Sequence, residues 1–235
     1  MPTSSRYGQR ISRADEGIRP YIPLTSDVLD FPVSVEYNAT KFIFYGRKGV
    51  TVLYPKEEFT GKNGIHYLLR SPETADAQQM IAYLKATAEE TEYGLSYPEE
   101  LNFTVKDEED FISRYSEDEG SIMISVFDGD RLVGNASLCC VMQKKKTLHR
   151  ATFGIAIRKS DWGQGLGRKI LSELITFAKQ AGYELLELEV VASNKAAVRL
   201  YKNMGFIIYG ERPLSLKRKN GDYYDELLMV LDLTK

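Results

Sequence analysis

From about residue 65 onward, apolar positions alternate between two repeats, one of about 3.6 residues and one of two. Leu166, Ile170, Leu171, Leu174, Ile175, Ala178 and Ala181 fall on one face of a helical repeat. This predicts an amphipathic helix over 166–182, stopped by Gly182. The stretch "SPETADAQQMIAYLKATAEE" begins with Ser71 at an N-cap position, Pro72 at the first helical position and an early Glu73. That is a helix start. "TVKDEEDFISRYS" predicts a shorter helix capped by Thr104, and "NKAAVRLYKNMG" (194–205) a further one. Between the helices, "IHYLLR" (65–70), "LHRATFGIAI" (148–157), "ELLELEVVA" (184–192), "FIIYGE" and "DYYDELLMVLDL" (222–233) read as strands. "SIMISVFDGDRLVGNASLCCVMQ" reads as two strands around a "DGD" turn.

Ahead of residue 65 the pattern changes. Residues 1–20 are polar, "FPVSVEYN" is strand-like, and "KFIFYGRKGVTVLY" reads as a hairpin turning at "GRKG" (46–49). The turn-rich "FTGKNG" (59–64) predicts a boundary. Residues 1–64 are then a partly β N-terminal extension, and 65–235 the main domain. The extension's hairpin has three places in such a plan: covering a sheet edge, building a homodimer interface, or shaping the acceptor site.

Composition narrows the class. With 43% hydrophobic and 27% charged residues in 235, the chain is that of a folded globular protein with a sizeable core. A formal net charge of −2 supplies no basic field for nucleic acid. The only two cysteines, Cys139 and Cys140, are adjacent and cannot staple distant segments. They read as small apolar strand residues in a reducing compartment. No run has the length of a membrane span, and the first residues carry no apolar leader. The expectation is a soluble cytoplasmic protein. His66 and His149 stand far apart, so no metal site is expected.

"SDWGQGLGRKI" (160–170) sets Gly163, Gly165 and Gly167 between a strand and the best helix of the chain. A helix N-terminus presents unpaired N–H groups and partial positive charge, and glycines let those amides approach an anion. The dinucleotide fingerprint G-x-G-x-x-G fails, because Arg168 stands at its third glycine. The P-loop fails as well, because Gly167 is followed by Arg168, Lys169 and Ile170. A glycine-rich connection without ligand remains open on this stretch alone. The next strand leads into "SNKAAVRLYKNMGF" (193–206), of the form N-x-x-A-x-x-L-Y-x-x-x-G-F. Together the two motifs resemble the GNAT superfamily of acyl-CoA-dependent N-acetyltransferases over residues 65–235.

The resemblance implies a mixed α/β fold with a central, mostly antiparallel twisted sheet flanked by helices. It implies acetyl-CoA as cosubstrate. The family's loop [Q/R]-x-x-G-x-[G/A] falls on Trp162, Gly163, Gln164, Gly165, Leu166 and Gly167. Trp162 replaces the usual Gln or Arg, which leaves the pyrophosphate to backbone amides with help from Arg168, and leaves Trp162 packing on either cofactor or core. Pantetheine is expected in a gap between two splayed strands, against the backbone of Ile155, Ala156 and Ile157. Asn194 matches a residue that bonds the pantetheine arm or caps the following helix, with Ala197 beside it.

Acetyl transfer needs a neutral amine, a donor to the thioester oxygen and a proton for the departing thiolate. Tyr201, two turns after Asn194, is the candidate acid; packing in the core is its other reading. In "LELEVVASN" Leu186, Leu188 and Val190 alternate with Glu187 and Glu189. The segment is similar to that of ribosomal-protein alanine N-acetyltransferases, which makes Glu189 the candidate base and Glu187 the fallback. An ion-paired, structural Glu189 is the alternative.

"ATAEETEYGLSYPEE" (86–100) carries five acids and no basic residue. It suggests attraction of a cationic acceptor, with Glu92, Tyr93 and Tyr97 as contacts. "QKKKTLHR" (143–150) and "SLKRKNGD" (215–222) read as basic hairpin tips. Three functions follow: an N-acetyltransferase for a small cationic amine, a protein N-terminal or lysine acetyltransferase, or a non-catalytic acyl-CoA-binding module. A peptide acceptor needs an open groove, whereas a small amine suits a closed pocket.

Overall fold

A computed structural model describes residues 43–45 and 51–235. Two short antiparallel strands, β1 (Ile43–Tyr45) and β2 (Thr51–Leu53), come first. They agree with the predicted hairpin, whose turn at 46–49, like the strand expected at "FPVSVEYN", lies outside the described residues. The remaining strands are β3 (Glu57–Thr60), β4 (His66–Arg70), β5 (Ile122–Asp128), β6 (Arg131–Cys140), β7 (Arg150–Ile157), β8 (Leu185–Val191), β9 (Ile207–Lys217) and β10 (Tyr223–Asp232). They form one eight-stranded sheet in the order β3-β4-β5-β6-β7-β8-β10-β9. Every neighbouring pair is antiparallel except β7 and β8. Four α-helices accompany it: α1 (Ala77–Glu90), α2 (Val105–Glu117), α3 (Leu166–Gln180) and α4 (Lys195–Asn203). The mixed α/β, mostly antiparallel architecture is the expected one.

Strand alternation sorts the two faces. Ile122, Ile124, Val126, Ala136, Leu138, Ala151, Leu186 and Met229 point to one side, where α3 buries Leu166, Ile170, Leu171, Leu174 and Phe177 and α4 adds Val198 and Tyr201. Met123, Phe127, Leu132 and Cys139 point to the other side and meet Met80 and Tyr83 of α1 and Tyr115 of α2. Cys139 and Cys140 are free thiols. Thr104 caps α2 as expected, accepting from the Asp107 amide while the Asp107 carboxylate accepts from the Thr104 amide.

Two boundaries differ from expectation. The stretch 59–64 is not a domain boundary but the bend of the β3–β4 hairpin, which lies inside the main sheet. Val52 and Tyr54, ahead of it, are fully buried in the α3-side core. Apolar burial, which the turn residues concealed, makes this segment part of the sheet domain. Ser71 does not cap α1. Its hydroxyl donates to the Met123 carbonyl and accepts from the Tyr54 amide, tying β5 to the chain after β2. The helix instead starts through a 3₁₀ turn at Thr74–Asp76, with Asp76 held by both guanidinium nitrogens of Arg70 at 2.6 and 2.8 Å.

Candidate active site

The sheet opens at one place. β7 and β8 run parallel and pair only over Arg150–Thr152 with Leu185–Glu187. Beyond that, β7 continues along β6 to Ile157 and β8 along β10 to Val191, each with its other edge unpaired. The two strands therefore splay into a wedge whose wide end lies at their C-termini. Ile155, Ala156 and Ile157 form the β7 wall of this wedge, where sequence reasoning set the pantetheine contacts. Backbone N–H and C=O groups on such an edge need partners, which an extended amide-bearing ligand supplies.

At the wide end the chain turns through Gly163 (φ 78°) and Gly165 (φ 93°) into α3. Both lie in the left-handed region, which glycine alone enters without steric cost. A Cβ on Gly163 meets nothing within 4 Å. Its need is thus conformational, and the first amides of α3, as at any helix N-terminus, have no partner within the helix. Gly167 serves packing instead. A Cβ there would come within 3.1 Å of Leu200 Cδ2, so this glycine lets α3 and α4 close on each other. Gly163 and Gly165 thus owe their places to backbone conformation and Gly167 to close packing. Arg168 is exposed in the first turn and forms no ion pair among the described residues, whereas Lys169 is committed to Glu57 at 2.6 Å and Glu173 at 2.8 Å.

Trp162 does not enter the core. It is half exposed, and its indole N–H donates to the Ile157 carbonyl at 2.7 Å, covering one backbone acceptor of the wedge wall. Gln164 is turned to the β3–β4 hairpin. Its carbonyl oxygens accept from the amides of Lys62 and Asn63, fixing the loop to the β3–β4 hairpin. Leu166, the first residue of α3, is buried in the core. Behind the loop, buried Asp161 accepts from the Tyr67 hydroxyl at 3.1 Å and pairs with Arg131 at 3.3 Å.

Tyr201 lies on α4, with its ring edge-on to Phe153 at 5.8 Å and tilted against Phe206 at 5.9 Å. Phe153 is the first β7 residue past the paired stretch, so Tyr201 sits at the apex of the wedge. Burial pushes its phenol up to about 12. Its hydroxyl has no hydrogen-bond partner among the described residues. Asn194 caps α4, its side-chain oxygen accepting from the Ala197 amide at 3.2 Å. Of its two expected roles, this is the one the structure displays.

Glu187 and Glu189 lie on the opposite face of β8, the side of α1 and α2. Glu187 is bound to Arg150 at 2.7 Å, across the paired part of the wedge. Glu189 is half exposed and held by both terminal nitrogens of Arg212 at 2.6 Å. Arg212 also reaches the buried Glu226 at 3.2 Å. Tyr83 was not found from the sequence, where it is one more apolar position of α1. Its hydroxyl accepts from the Asn135 amide at 3.0 Å and donates to the Ala156 carbonyl at 2.6 Å, so it fixes the β7 wall from behind.

The acidic segment after α1 is not free. Glu90 accepts from Arg158 at 2.8 Å and from the Lys159 amide at 2.7 Å. Glu92 is bound by Arg218 and by the Tyr224 hydroxyl at 3.0 Å. Glu99 pairs with Lys219, whose ammonium stands 4.3 Å from the centre of the Tyr97 ring. Tyr93 leans on Tyr224 with ring centres 6.2 Å apart. The acids and the basic hairpin tip, which look like separate features in sequence, neutralise each other.

The acetyltransferase (GNAT) family profile matches residues 83–206, which is more than half of the chain. The chain belongs to this family. It is 39% identical over 77 residues to a ribosomal protein bS18-alanine N-acetyltransferase of Escherichia coli, covering 32% of this chain and 52% of that protein. An L-amino acid N-acyltransferase of Escherichia coli is 29% identical over 85 residues, covering 36% of this chain and 49% of that protein. The matches thus span about half the length of these curated relatives. A GNAT-family acetyltransferase from Streptococcus pneumoniae superimposes with a TM-score of 0.68 at 28% identity, over 71% of this chain and 99% of that one. No helix among the described residues is long and apolar enough to cross a membrane.

Proposed function

We propose that this chain transfers the acetyl group of acetyl-CoA to the primary amine of a small acceptor. The observation that carries the reading is the wedge between β7 and β8, opening beside the glycine-turned N-terminus of α3. The open amides of α3 fit a pyrophosphate, and Arg168 stands near enough in sequence to add charge. The unpaired edge of Ile155–Ile157 fits the amides of a pantetheine arm. Trp162 yields or shares the Ile157 carbonyl when that arm is present.

Acetyl-CoA supplies an acetyl thioester at the apex of the wedge. There Tyr201 remains protonated and donates its proton to the sulfur as the C–S bond breaks and the new C–N bond forms. The amine's proton leaves toward the α1–α2 face, where Glu189, directly or through water, accepts it. Tyr83 keeps the β7 wall in place while this happens. An ammonium on that face sees Glu189 and Glu226 against a single Arg212, a local excess of one negative charge. Glu92 and Glu99 no longer argue for a polycation, because Arg218 and Lys219 already neutralise them. The reading therefore keeps the small amine and sets aside the acidic-segment argument for a cationic preference. The relatives named for amino acids and for a ribosomal-protein alanine favour an α-amine among primary amines.

The test is acetyl-CoA-dependent thiol release with amino acids and their amides, polyamines, aminoglycosides and peptides. Release with one amine class establishes the enzyme. Silence across the panel, with tight acetyl-CoA binding measured alongside, replaces it with an acyl-CoA-binding module.

A further inference from the structure

We infer that residues 90–99 form a clasped strap that closes the acceptor side of the wedge and restricts acceptors to small amines, excluding polypeptides. This rests on the acetyltransferase reading above and names its substrate class. The strap is fastened on both sides of the opening. Glu90 holds Arg158 and the Lys159 amide, immediately after the end of β7. Glu92, two residues on, holds Arg218 and Tyr224 of the β9–β10 hairpin. Glu226 of β10 pairs with Val191, the last residue of β8, so this hairpin tip lies at the same end of the sheet as the C-termini of β7 and β8. Cα atoms two residues apart are at most about 7 Å from one another. The strap therefore runs from the end of one wall to the strands beyond the other, on the α1–α2 face, opposite the α3–α4 side.

Beyond Glu92 the clasp continues. Tyr93 rests on Tyr224, Lys219 lies over Tyr97, and Lys219 pairs with Glu99. An amine reaching Tyr201 and Glu189 from this face arrives between strap and hairpin. A free small molecule is enclosed there, but a residue with a chain attached must send that chain along the line the clasp occupies. The Glu92–Arg218 and Glu99–Lys219 pairs are largely exposed to solvent, so each alone is weak and screened by salt. Their arrangement as a row makes opening a concerted event, and salt opens it.

The experiment compares kcat/KM for a pool of small amines (amino-acid amides, polyamines and aminoglycosides) with that for a pool of peptides about ten residues long. The peptides begin with the same amino acids. The wild-type protein is expected to favour the small pool at least tenfold at low salt, with the preference shrinking as sodium chloride rises. The double variant Arg218→Glu, Lys219→Glu should lose most of that preference and its salt dependence. Adding Glu92→Arg and Glu99→Lys restores complementary charge and should restore the preference, which separates the clasp from any general damage to the hairpin. Equal use of both pools by the wild-type protein, or a preference indifferent to the reversed charges, overturns the strap. Inactivity of the wild-type protein on both pools overturns the acetyltransferase reading itself.

Discussion

At the scale of single residues, the proposed site sets two groups, Tyr201 and Glu189, in contrasting surroundings. Tyr201 is enclosed by aromatic rings, and burial raises its phenol from near ~10 to about 12. The neutral form is favoured in the folded protein, so this contribution to stability is complete below pH ~10 and fades as pH rises through 12. Tyr201, the proposed donor, keeps its proton across the working range. The expected kcat profile has no falling limb between pH 7 and 10, and a fall there would assign the acid elsewhere. Tyr201→Phe should lower kcat by about 10²- to 10⁴-fold, the usual worth of a positioned acid, with little change in acetyl-CoA affinity. Glu189 differs: it is half exposed and gripped by Arg212. Glu189→Gln should depress turnover more at pH 6 than at pH 9, since an α-amine with a pKa near ~8 needs less help once it is neutral. A loss independent of pH would leave Glu189 as the structural partner of Arg212. Tyr201 and Glu189 could be named as candidates from the sequence because they fall at fixed places in motifs that resemble a family. Arg212 was not, since an arginine on a strand announces its partner only when the strands are in register. Tyr83 was hidden for a related reason, its hydroxyl function being invisible within the apolar stripe of a helix.

At the scale of elements, the glycine turn shows how one short stretch serves two ends. Gly163 and Gly165 supply the positive φ of the turn into α3, whereas Gly167 supplies absence of bulk so that Leu200 can approach. Substituting Gly165 by Val asks a β-branched residue to adopt a left-handed conformation, at a cost of roughly 1–2 kcal/mol, with Phe59 already 3.4 Å from the new Cβ. The turn should rearrange and the protein stay folded. Calorimetric titration with acetyl-CoA should show affinity reduced at least tenfold; undiminished binding would remove the turn from the anion site. Elements with strong periodicity, such as α3, and those with a complete cap, such as α2, were legible within a residue or two. The start of α1 was not. Ser71 and Pro72 satisfy every local rule for a helix start, yet the Ser71 hydroxyl is drawn to Met123 and the Tyr54 amide, contacts set by strands distant in sequence. Tertiary hydrogen bonding outweighed the local signal. The same is true of Trp162, whose ambiguous place in the motif was resolved by a carbonyl on the neighbouring strand.

At the scale of the whole molecule, the sheet is extended by a strand, β3, that the sequence set apart. The run "FTGKNG" has every mark of a linker, but turn residues mark a change of direction and carry no information on whether the strands on either side share a sheet. The deciding quantity is burial. Tyr54 and Val52 are almost fully enclosed by the α3-side core, and β3 closes one edge of the eight-stranded sheet. Glu57 adds a second tie, accepting from Lys169, which also serves the buried Glu173 in the first turns of α3. Removing residues 1–64 therefore takes away, among the described residues, the buried side chains of Val52 and Tyr54, each worth about 1.5–3 kcal/mol. It also leaves the Lys169–Glu173 pair without Glu57 and uncovers the β4 edge. Total stabilities of domains run from about 5 to 15 kcal/mol, so such a loss reaches the scale of the whole. The truncated chain 65–235 is expected to melt at least 10 °C below the full chain or to aggregate. Its acetyl-CoA affinity should fall as well, because the Lys62 and Asn63 amides hold Gln164 of the glycine turn. A truncated protein that melts with the full chain and binds acetyl-CoA equally well would return the first 64 residues to the status of a separable extension. A linked loss of both properties would make the β3–β4 hairpin part of the acetyl-CoA site.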